Sequence, residues 1–449
     1  MKHLFSRLSP AQKIILSFLL VIFCGSLLLS LPWVQTASSQ AGYLDHLFTA
    51  VSMVCVTGLF TRSVVDTYNV WGQLLCMLLI QIGGLGILTF IGFFTMESRK
   101  KLSLKDRRIL RDSFSYGHNR TLGQFVRSIF ITTFTIEGLG ALLLMIRFIP
   151  KFGLGKGIFN SIFLAVSAFC NAGFDNFGND SLLGLQTDVL VNITLALLII
   201  TGGLGFMVWF DLATKLGGKQ KGLHFHTKAV LLLTAGLLVF GTVTSLWTEY
   251  NNPGTIGNLS FGDKLLVSFF QTVSMRTAGF ASIDYTAARP VTLFIYLLQM
   301  FLGGAPGGTA GGLKITTFLV LLLFARKEIL GLPHTNMGRR TLAPQLVQKA
   351  FGVTVIFQLT FLLGLLALGL VTDSSHRFIY LIFETVSALA TVGVTANITT
   401  SLNTAGMIVI MLLMFIGRVG PLTLMVSLSH YQPKKATTLH YSKADIMIG

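Results

Sequence analysis

Charge is what this chain lacks most. Asp, Glu, Lys and Arg make up only 11% of its 449 residues, against 52% hydrophobic, and the mean hydropathy is +0.73. A soluble protein of this length carries about a quarter charged residues, so a water-covered globule is excluded. Cysteine is scarce as well. Cys24, Cys55, Cys76 and Cys170 show no paired CxxC and no disulfide spacing. The nine histidines form no HExxH or similar cluster, and no nucleophile–base pattern accompanies them, so the chain does not read as an enzyme. The stretch Gly153-Leu154-Gly155-Lys156-Gly157 is not a GxGxxG and precedes no strand–helix unit, which leaves the chain without a nucleotide-binding module of its own.

What the sequence has instead is apolar runs long enough to cross a bilayer, roughly 20 residues each. Ile15–Leu31 is the first; Val191–Phe210 and Ala229–Trp247 are clear later ones. A cleaved leader is the alternative reading of the first; a span is expected, because no small-residue cleavage site is obvious and similar segments recur throughout. The pattern reads as eight spanning helices with both ends on one side. On that side, segments 1–13, 99–128, 215–228, 314–349 and 430–449 hold 25 of the 34 Lys and Arg. The opposite segments 32–69, 147–184, 249–290 and 372–402 hold 8, and Arg418 is left over. This asymmetry places both termini in the cytoplasm. The net charge of +17 is therefore a set of topology anchors facing membrane lipid, including the basic loop Arg99–Arg111, and not a nucleic-acid surface.

Four segments align on one glycine. Three share V-S-x5-G: Val51-Ser52 to Gly58, Val166-Ser167 to Gly173 and Val386-Ser387 to Gly393. The third in order, Val273-Ser274 to Gly279, has its Val-Ser shifted by one. The glycines lie 115, 106 and 114 residues apart. A second cluster follows each: Gly83-Gly84, Gly202-Gly203, Gly303-Gly304 and Gly417-Arg418, at 25, 29, 24 and 24 residues. Paired matches at near-constant spacing indicate a fourfold internal repeat. Before each first glycine lies a short apolar segment: Asp45–Val56, Gly157–Asn171, Asp263–Arg276 and Arg377–Thr391. At about 1.5 Å per residue these are too short to cross and return, so they fit helices that enter the membrane halfway. The loops after them need polar partners. The negative ends of the half-helices favour a cation, glycine permits the positive φ that turns carbonyls inward, and four such loops make a carbonyl ring suited to potassium.

At this level the chain resembles the Trk/Ktr/HKT superfamily of potassium transporters, nearest its bacterial KtrB branch, over roughly residues 10 to 430. The likeness is carried by the four loop glycines, the glycine pairs, the run Gly303 to Gly312, and Arg418. It implies an all-α integral membrane fold of four pseudo-symmetric repeats (spanning helix, pore helix, spanning helix) around a central ion pore. The divisions are 1–98 for repeat one, 99–214 for the basic loop and repeat two, 215–330 for repeat three, 331–430 for repeat four and 431–449 for a cytoplasmic tail. The resemblance further implies a potassium filter of Val56-Thr57-Gly58, Asn171-Ala172-Gly173, Thr277-Ala278-Gly279 and Thr391-Val392-Gly393, binding K+ through backbone carbonyls. Only Thr391-Val392-Gly393 keeps the channel-like letters T-V-G. In plant relatives a serine at the first position goes with sodium transport; Gly58 therefore favours potassium. It also implies a homodimer on a cytosolic ring of nucleotide-binding regulatory subunits of the KtrA/TrkA (RCK) kind, no cofactor in this chain, and Na+ as a candidate activator.

Several residues carry competing readings. Gly83-Gly84 and Gly202-Gly203 suit close helix packing. Residues Gly303, Gly304, Ala305, Pro306, Gly307, Gly308, Thr309, Ala310, Gly311 and Gly312 hold six glycines and a proline, where a continuous helix would cost several kcal/mol. A broken helix is expected there: an intramembrane gate, or a simple kink. Arg418, deep in the last spanning segment, reads as a charge at the pore waist holding that gate by its carbonyls; the alternative is snorkelling to the surface. Arg276 is a candidate loop tie, Asn171 a loop brace and Lys314 a cytoplasmic-end anchor. Asp175, Asp180 and Asp284 either concentrate cations at the outer mouth or are solvated loop acids. Glu137 and Glu384 lie near apolar stretches without an identifiable partner, and the tail near Tyr441–Gly449 is a candidate partner contact. The expected function is a gated potassium pathway. A sodium- or proton-coupled symporter with an occluded site is the rival, although such transporters usually have inverted or two-fold repeats.

Overall fold

The computed structural model describes residues 10–86, 122–178, 181–218, 220, 222–338, 340–372 and 377–420. The loop Arg99–Arg111, Asp180 and the tail 431–449 lie outside them. The described chain is almost wholly helical. Its one sheet among the described residues is a two-residue ribbon, β1 (Asn336–Met337) against β2 (Arg340–Thr341).

The element order is a long helix, a short helix, a glycine turn and a further helix, four times over. First come α1 (Pro10–Leu29), α2 (Tyr43–Val54) and α3 (Val70–Leu85). Then come α4 (Leu122–Phe152), α5 (Leu154–Phe169), α6 (Val189–Gly203) and α7 (Phe206–Leu216). Next are α8 (Phe225–Glu249), α9 (Phe261–Ser274), α10 (Pro290–Phe301) and α11 (Ile315–Ile329). Last are α12 (Pro344–Val371), α13 (Phe378–Leu389) and α14 (Thr404–Val419). The four short helices run 12, 16, 14 and 12 residues. They start and stop within about three residues of the predicted segments, and the shift is systematic: the last predicted residues belong to the turn.

Among the described residues, four helices are long and apolar enough to cross a membrane: Gln12–Leu29, Val126–Phe152, Phe225–Glu249 and Pro344–Val371. Their outward faces expose Phe23, Phe134, Leu142, Val243 and Leu363, apolar surface that only lipid or a partner would cover. The predicted run Val191–Phe210 is not one straight span. It divides into α6 and α7, which meet at 97°. Gly205 makes the bend, with φ of 88°. The sequence had marked only the third repeat as broken, yet α3 and α14 also stop at a glycine of this geometry, Gly86 (φ 83°) and Gly420 (φ 90°). An L side chain rarely adopts that backbone, so glycine ends the helix at each place.

Caps set where the second helices begin. Asn69 accepts from the N–H groups of Trp71 and Gly72, Asp188 from Val191, and Asn403 from Gly406. Helix α10 starts on Pro290, whose missing N–H is harmless in a first turn. The short helices lie at the centre of the bundle; Phe48, Met53, Leu164, Phe169, Phe270, Val273, Phe383 and Leu389 are fully buried on them.

Candidate functional site: a glycine ring and the loop beneath it

Each short helix ends in a turn with one backbone pattern. The residue two before the loop glycine is left-handed: Val56 (φ 56°), Asn171 (59°), Thr277 (66°) and Thr391 (52°). The glycines follow with φ of 104°, 69°, 82° and 97° at Gly58, Gly173, Gly279 and Gly393. Between them, Thr57, Ala172, Ala278 and Val392 are ordinary. A β-branched residue in the left-handed region costs on the order of 1–3 kcal/mol and persists only where its surroundings impose it. Here the next N–H is pulled back onto the short helix. Thr57, Ala172 and Val392 each donate to the carbonyl of Ser52, Ser167 or Ser387 at 2.8 Å, and Ala278 to Ser274 at 2.9 Å. With the N–H groups engaged behind, the carbonyls are left to face forward.

The Val-Ser pattern has a structural reason. Ser52 Oγ accepts from the Gly58 N–H at 3.1 Å, and Ser387 Oγ from the Gly393 N–H at 3.0 Å. Ser167 Oγ has no partner among the described residues. In the third loop the shifted Ser274 instead donates to the Phe280 carbonyl at 2.5 Å.

The four turns meet. A Cβ added at Gly58 would stand 2.8 Å from the Ala172 carbonyl oxygen. At Gly173 it would stand 2.6 Å from the Ala278 oxygen, at Gly279 2.6 Å from the Val392 oxygen, and at Gly393 it would fall on the Thr57 oxygen. Each glycine thus faces the carbonyl of the next loop, and the order closes on itself. These four backbones approach too closely for any side chain.

The second glycine clusters are explained by the same packing. A Cβ at Gly83 would fall on the Val54 carbonyl, at Gly202 on that of Phe169 and at Gly417 on that of Leu389. Those are the last residues of α2, α5 and α13. The constant spacing in sequence is the distance from a turn to the helix that passes directly under it, and close packing is the role of the first two pairs.

The run 303–312 is not helical. It leaves α10, loops inward and returns to α11 through a parallel bridge between Leu302 and Leu313. Its returning limb lies against the glycine ring: the Gly311 N–H donates to Thr277 Oγ1 at 3.1 Å, and a Cβ at Gly311 would strike Thr391 Oγ1. The loop fills the bend between α6 and α7. Ala305 N donates to the Gly203 carbonyl (2.9 Å), Thr309 N to Gly202 (3.1 Å), and Phe206 N to Gly307 (3.0 Å). Thr309 Oγ1 donates to the Phe169 carbonyl at 3.0 Å and lies 3.3 Å from the Asn171 amide.

Arg418 reaches this loop and does not turn to the surface. Its Nη1 donates to the Thr309 carbonyl at 2.5 Å, and its Nη2 to the carbonyls of Gly83 (2.5 Å) and Gly84 (3.2 Å). Lys314, read from sequence as an end anchor, folds back and donates to the Ala310 carbonyl at 2.7 Å. Arg276 is buried and reaches Thr234 on α8 at 3.4 Å, a tie to a neighbouring helix.

Of the three acids that follow the turns, Asp175 and Asp284 are braces. Asp175 accepts from Ser181 Oγ (2.7 Å) and the Phe177 N–H (3.0 Å); burial pushes its carboxyl up to about 6, against the pull of those two donors. Asp284 accepts from the Thr286 N–H and hydroxyl. Sequence reading left Glu137 and Glu384 without partners. Glu137 accepts from Gln81 Nε2 at 3.1 Å, with Cys170 Sγ at 3.9 Å. Glu384 accepts from Thr395 Oγ1 at 2.6 Å and from Thr399 Oγ1. One staple of this kind joins each short helix to the segment leaving its turn: Asp45–Thr61, Asn160–Asn176, Gln271–Ser282 and Glu384–Thr395. The first two pairs are 16 residues apart and the last two 11, but the residue types differ from pair to pair, and sequence reading did not single them out.

Comparison with known proteins places these features. The chain is 38% identical over 446 residues to the Ktr system potassium uptake protein B of Bacillus subtilis, covering 99% of this chain and 97% of that protein. It is 38% identical over 453 residues to the potassium/sodium uptake protein NtpJ of Enterococcus hirae, covering 100% and 99%. The fold is that of the crystal structure of the potassium transporter TrkH from Vibrio parahaemolyticus, with a TM-score of 0.73 at 17% identity over 93% of this chain and 84% of that one. The family model for the TrkH cation transport proteins matches residues 7–438. That family transports ions and is not one of enzymes. With its long apolar helices, its family model matched nearly end to end and its full-length relatives, the chain is a membrane protein and belongs to the TrkH family of cation transport proteins.

Proposed function

We propose that this chain is the pore-forming subunit of a gated potassium-uptake system. The observation that carries the reading is the closed ring, in which each loop glycine faces the carbonyl of the next loop. Four backbones so arranged present carbonyls of Thr57, Ala172, Ala278 and Val392 to a common axis, replacing the water shell of a dehydrated K+. The filter comprises these residues with Val56, Gly58, Asn171, Gly173, Thr277, Gly279, Thr391 and Gly393. Loop 303–312, seated under Thr277 and Thr391, is the gate in its closed position, and Arg418 holds it.

In this reading the four helical stretches are repeats around the pore, divided as the sequence suggested. Eight helices span the membrane, four of them as the shorter or bent second helices, and both termini are cytoplasmic. The names of the relatives point to potassium and to a multi-component system. A homodimer on a cytosolic nucleotide-binding ring is the assembly proposed, with no cofactor in this chain. Sodium enters through the name of the Enterococcus relative, as an activator or as a coupled ion.

Purified protein in liposomes tests the function. A potassium pathway gives currents that reverse near the potassium equilibrium potential in mixed K+/Na+ solutions, without fixed sodium stoichiometry. Saturable potassium flux locked to sodium entry would establish the symporter. Absence of potassium flux, with and without the regulatory subunit, would refute both.

A further inference from the structure

The four staples behind the glycine turns are chemically unequal. Asn160–Asn176 and Gln271–Ser282 join neutral groups. Asp45 sits in the first turn of α2, half-buried, where it also accepts from the Gly42 N–H. Glu384 alone is a completely buried acid, in the middle of α13 and behind the turn that keeps the letters Thr391-Val392-Gly393.

Its hydrogen bonds suit the ionised form. Thr395 Oγ1 already accepts from the N–H groups of Ile398 (3.2 Å) and Thr399 (3.5 Å), so its hydroxyl hydrogen is free to go to Glu384 Oε2. Thr399 Oγ1 donates to Oε1. Both oxygens are thus held by hydroxyls able to donate, which is what an ionised carboxylate needs. No Lys, Arg or His side chain is bonded to it among the described residues. A buried charge without a counter-charge is expensive. In a filled pore, the positive charge available to compensate it is the permeant cation itself.

We infer that Glu384 is a fixed negative charge that raises the affinity of the glycine ring for monovalent cations. The inference rests on the potassium-pathway reading above. Thr395 is two residues past Gly393, and consecutive Cα atoms are about 3.8 Å apart. The carboxylate is thus within roughly 13 Å of the Gly393 Cα, adding the Thr395 side chain and its 2.6 Å bond. At a separation of about 12 Å and an effective dielectric of about 20, attraction between unit charges changes affinity about tenfold. A charge at that range does not distinguish K+ from Na+. It acts through the field, whereas ring geometry acts through contact.

The test is Glu384→Gln in the full-length protein with its regulatory subunit, reconstituted in liposomes. Wild-type protein is measured alongside; if it carries no potassium, the pathway reading fails and not this one. The expected result is a rise of about tenfold in the K+ concentration for half-maximal flux, a parallel rise for Na+ as competitor, and an unchanged K+/Na+ ratio. Unchanged half-saturation overturns the inference. So does an altered ratio, since a carboxylate serving only to shape the loop would disturb contact geometry. Should the Gln variant not fold, Glu384→Asp decides: it keeps the charge about one methylene away, so half-saturation should stay within about threefold of wild type. A tenfold loss there assigns the effect to shape and sinks the charge.

Discussion

Replacing Arg418 with glutamine removes its contact from α14 to the loop under the ring. The loop-side bond runs from Nη1 to the Thr309 carbonyl at 2.5 Å, while Nη2 is anchored on Gly83 and Gly84 of α3. A hydrogen bond to a charged group is worth about 1.5–3 kcal/mol. If it exists only with the loop seated, its loss shifts the seated-to-released equilibrium by about 10- to 150-fold, since 1.4 kcal/mol is tenfold. The loop keeps other ties: Ala305, Thr309 and Gly307 to the α6–α7 bend, Gly311 to Thr277, and Lys314 to Ala310. Release is therefore partial, and the gain in flux should stay within that range. The assay is Rb+ or K+ uptake into liposomes without the regulatory subunit, per folded protein. Arg418→Lys separates the two roles of the side chain. It keeps the positive charge, but a point donor cannot span Thr309 and Gly83 as the planar guanidinium does. A hydrogen-bond clamp predicts flux in Arg418→Lys between wild type and Arg418→Gln. A purely electrostatic barrier predicts wild-type flux for Lys. Flux in Arg418→Gln at or below wild type, with normal thermal stability, would refute the clamp.

Other expectations follow from the same contacts. Gly58→Ser sets a Cβ 2.8 Å from the Ala172 carbonyl at a φ of 104°, so that oxygen must move by about half an ångström to reach ordinary contact; the reversal potential in mixed K+/Na+ should shift toward sodium, and an unmoved potential would refute the ring as filter. Deleting residues within 305–310 should raise cation flux without the regulator, and reduced flux in a well-assembled protein would mean that the loop is not a closed gate. Ser387→Ala strips the Gly393 N–H of its partner and should destabilise by about 1–3 kcal/mol. Ser167→Ala removes a hydroxyl with no partner among the described residues and should be neutral; equal thermal shifts in the two would contradict the role assigned to the Val-Ser serine.

Much of this architecture was legible beforehand because it is periodic or costly. Apolar runs of bilayer length, four recurrent glycines and a glycine-rich break are local facts with local physics. Arg418 stood out because a charge in an apolar helix must find a partner. Misreadings arose where a local turn of the backbone decided the outcome. Lys314 looked like an end anchor until the chain returned its amine to Ala310. The bend at Gly205 was hidden because α6 and α7 are both apolar, and hydropathy does not register direction.

By itself, then, the sequence determined a membrane protein with four glycine turns, since hydrophobic length and glycine's φ range are properties of single segments. Only the tertiary structure decided that those turns close into a ring, that the glycine pairs lie beneath the short helices, and that Glu384 stands behind the fourth turn on two threonine hydroxyls. Each of those depends on atoms from separate segments of the chain reaching hydrogen-bond or van der Waals contact with one another, a condition that only the packed chain can satisfy.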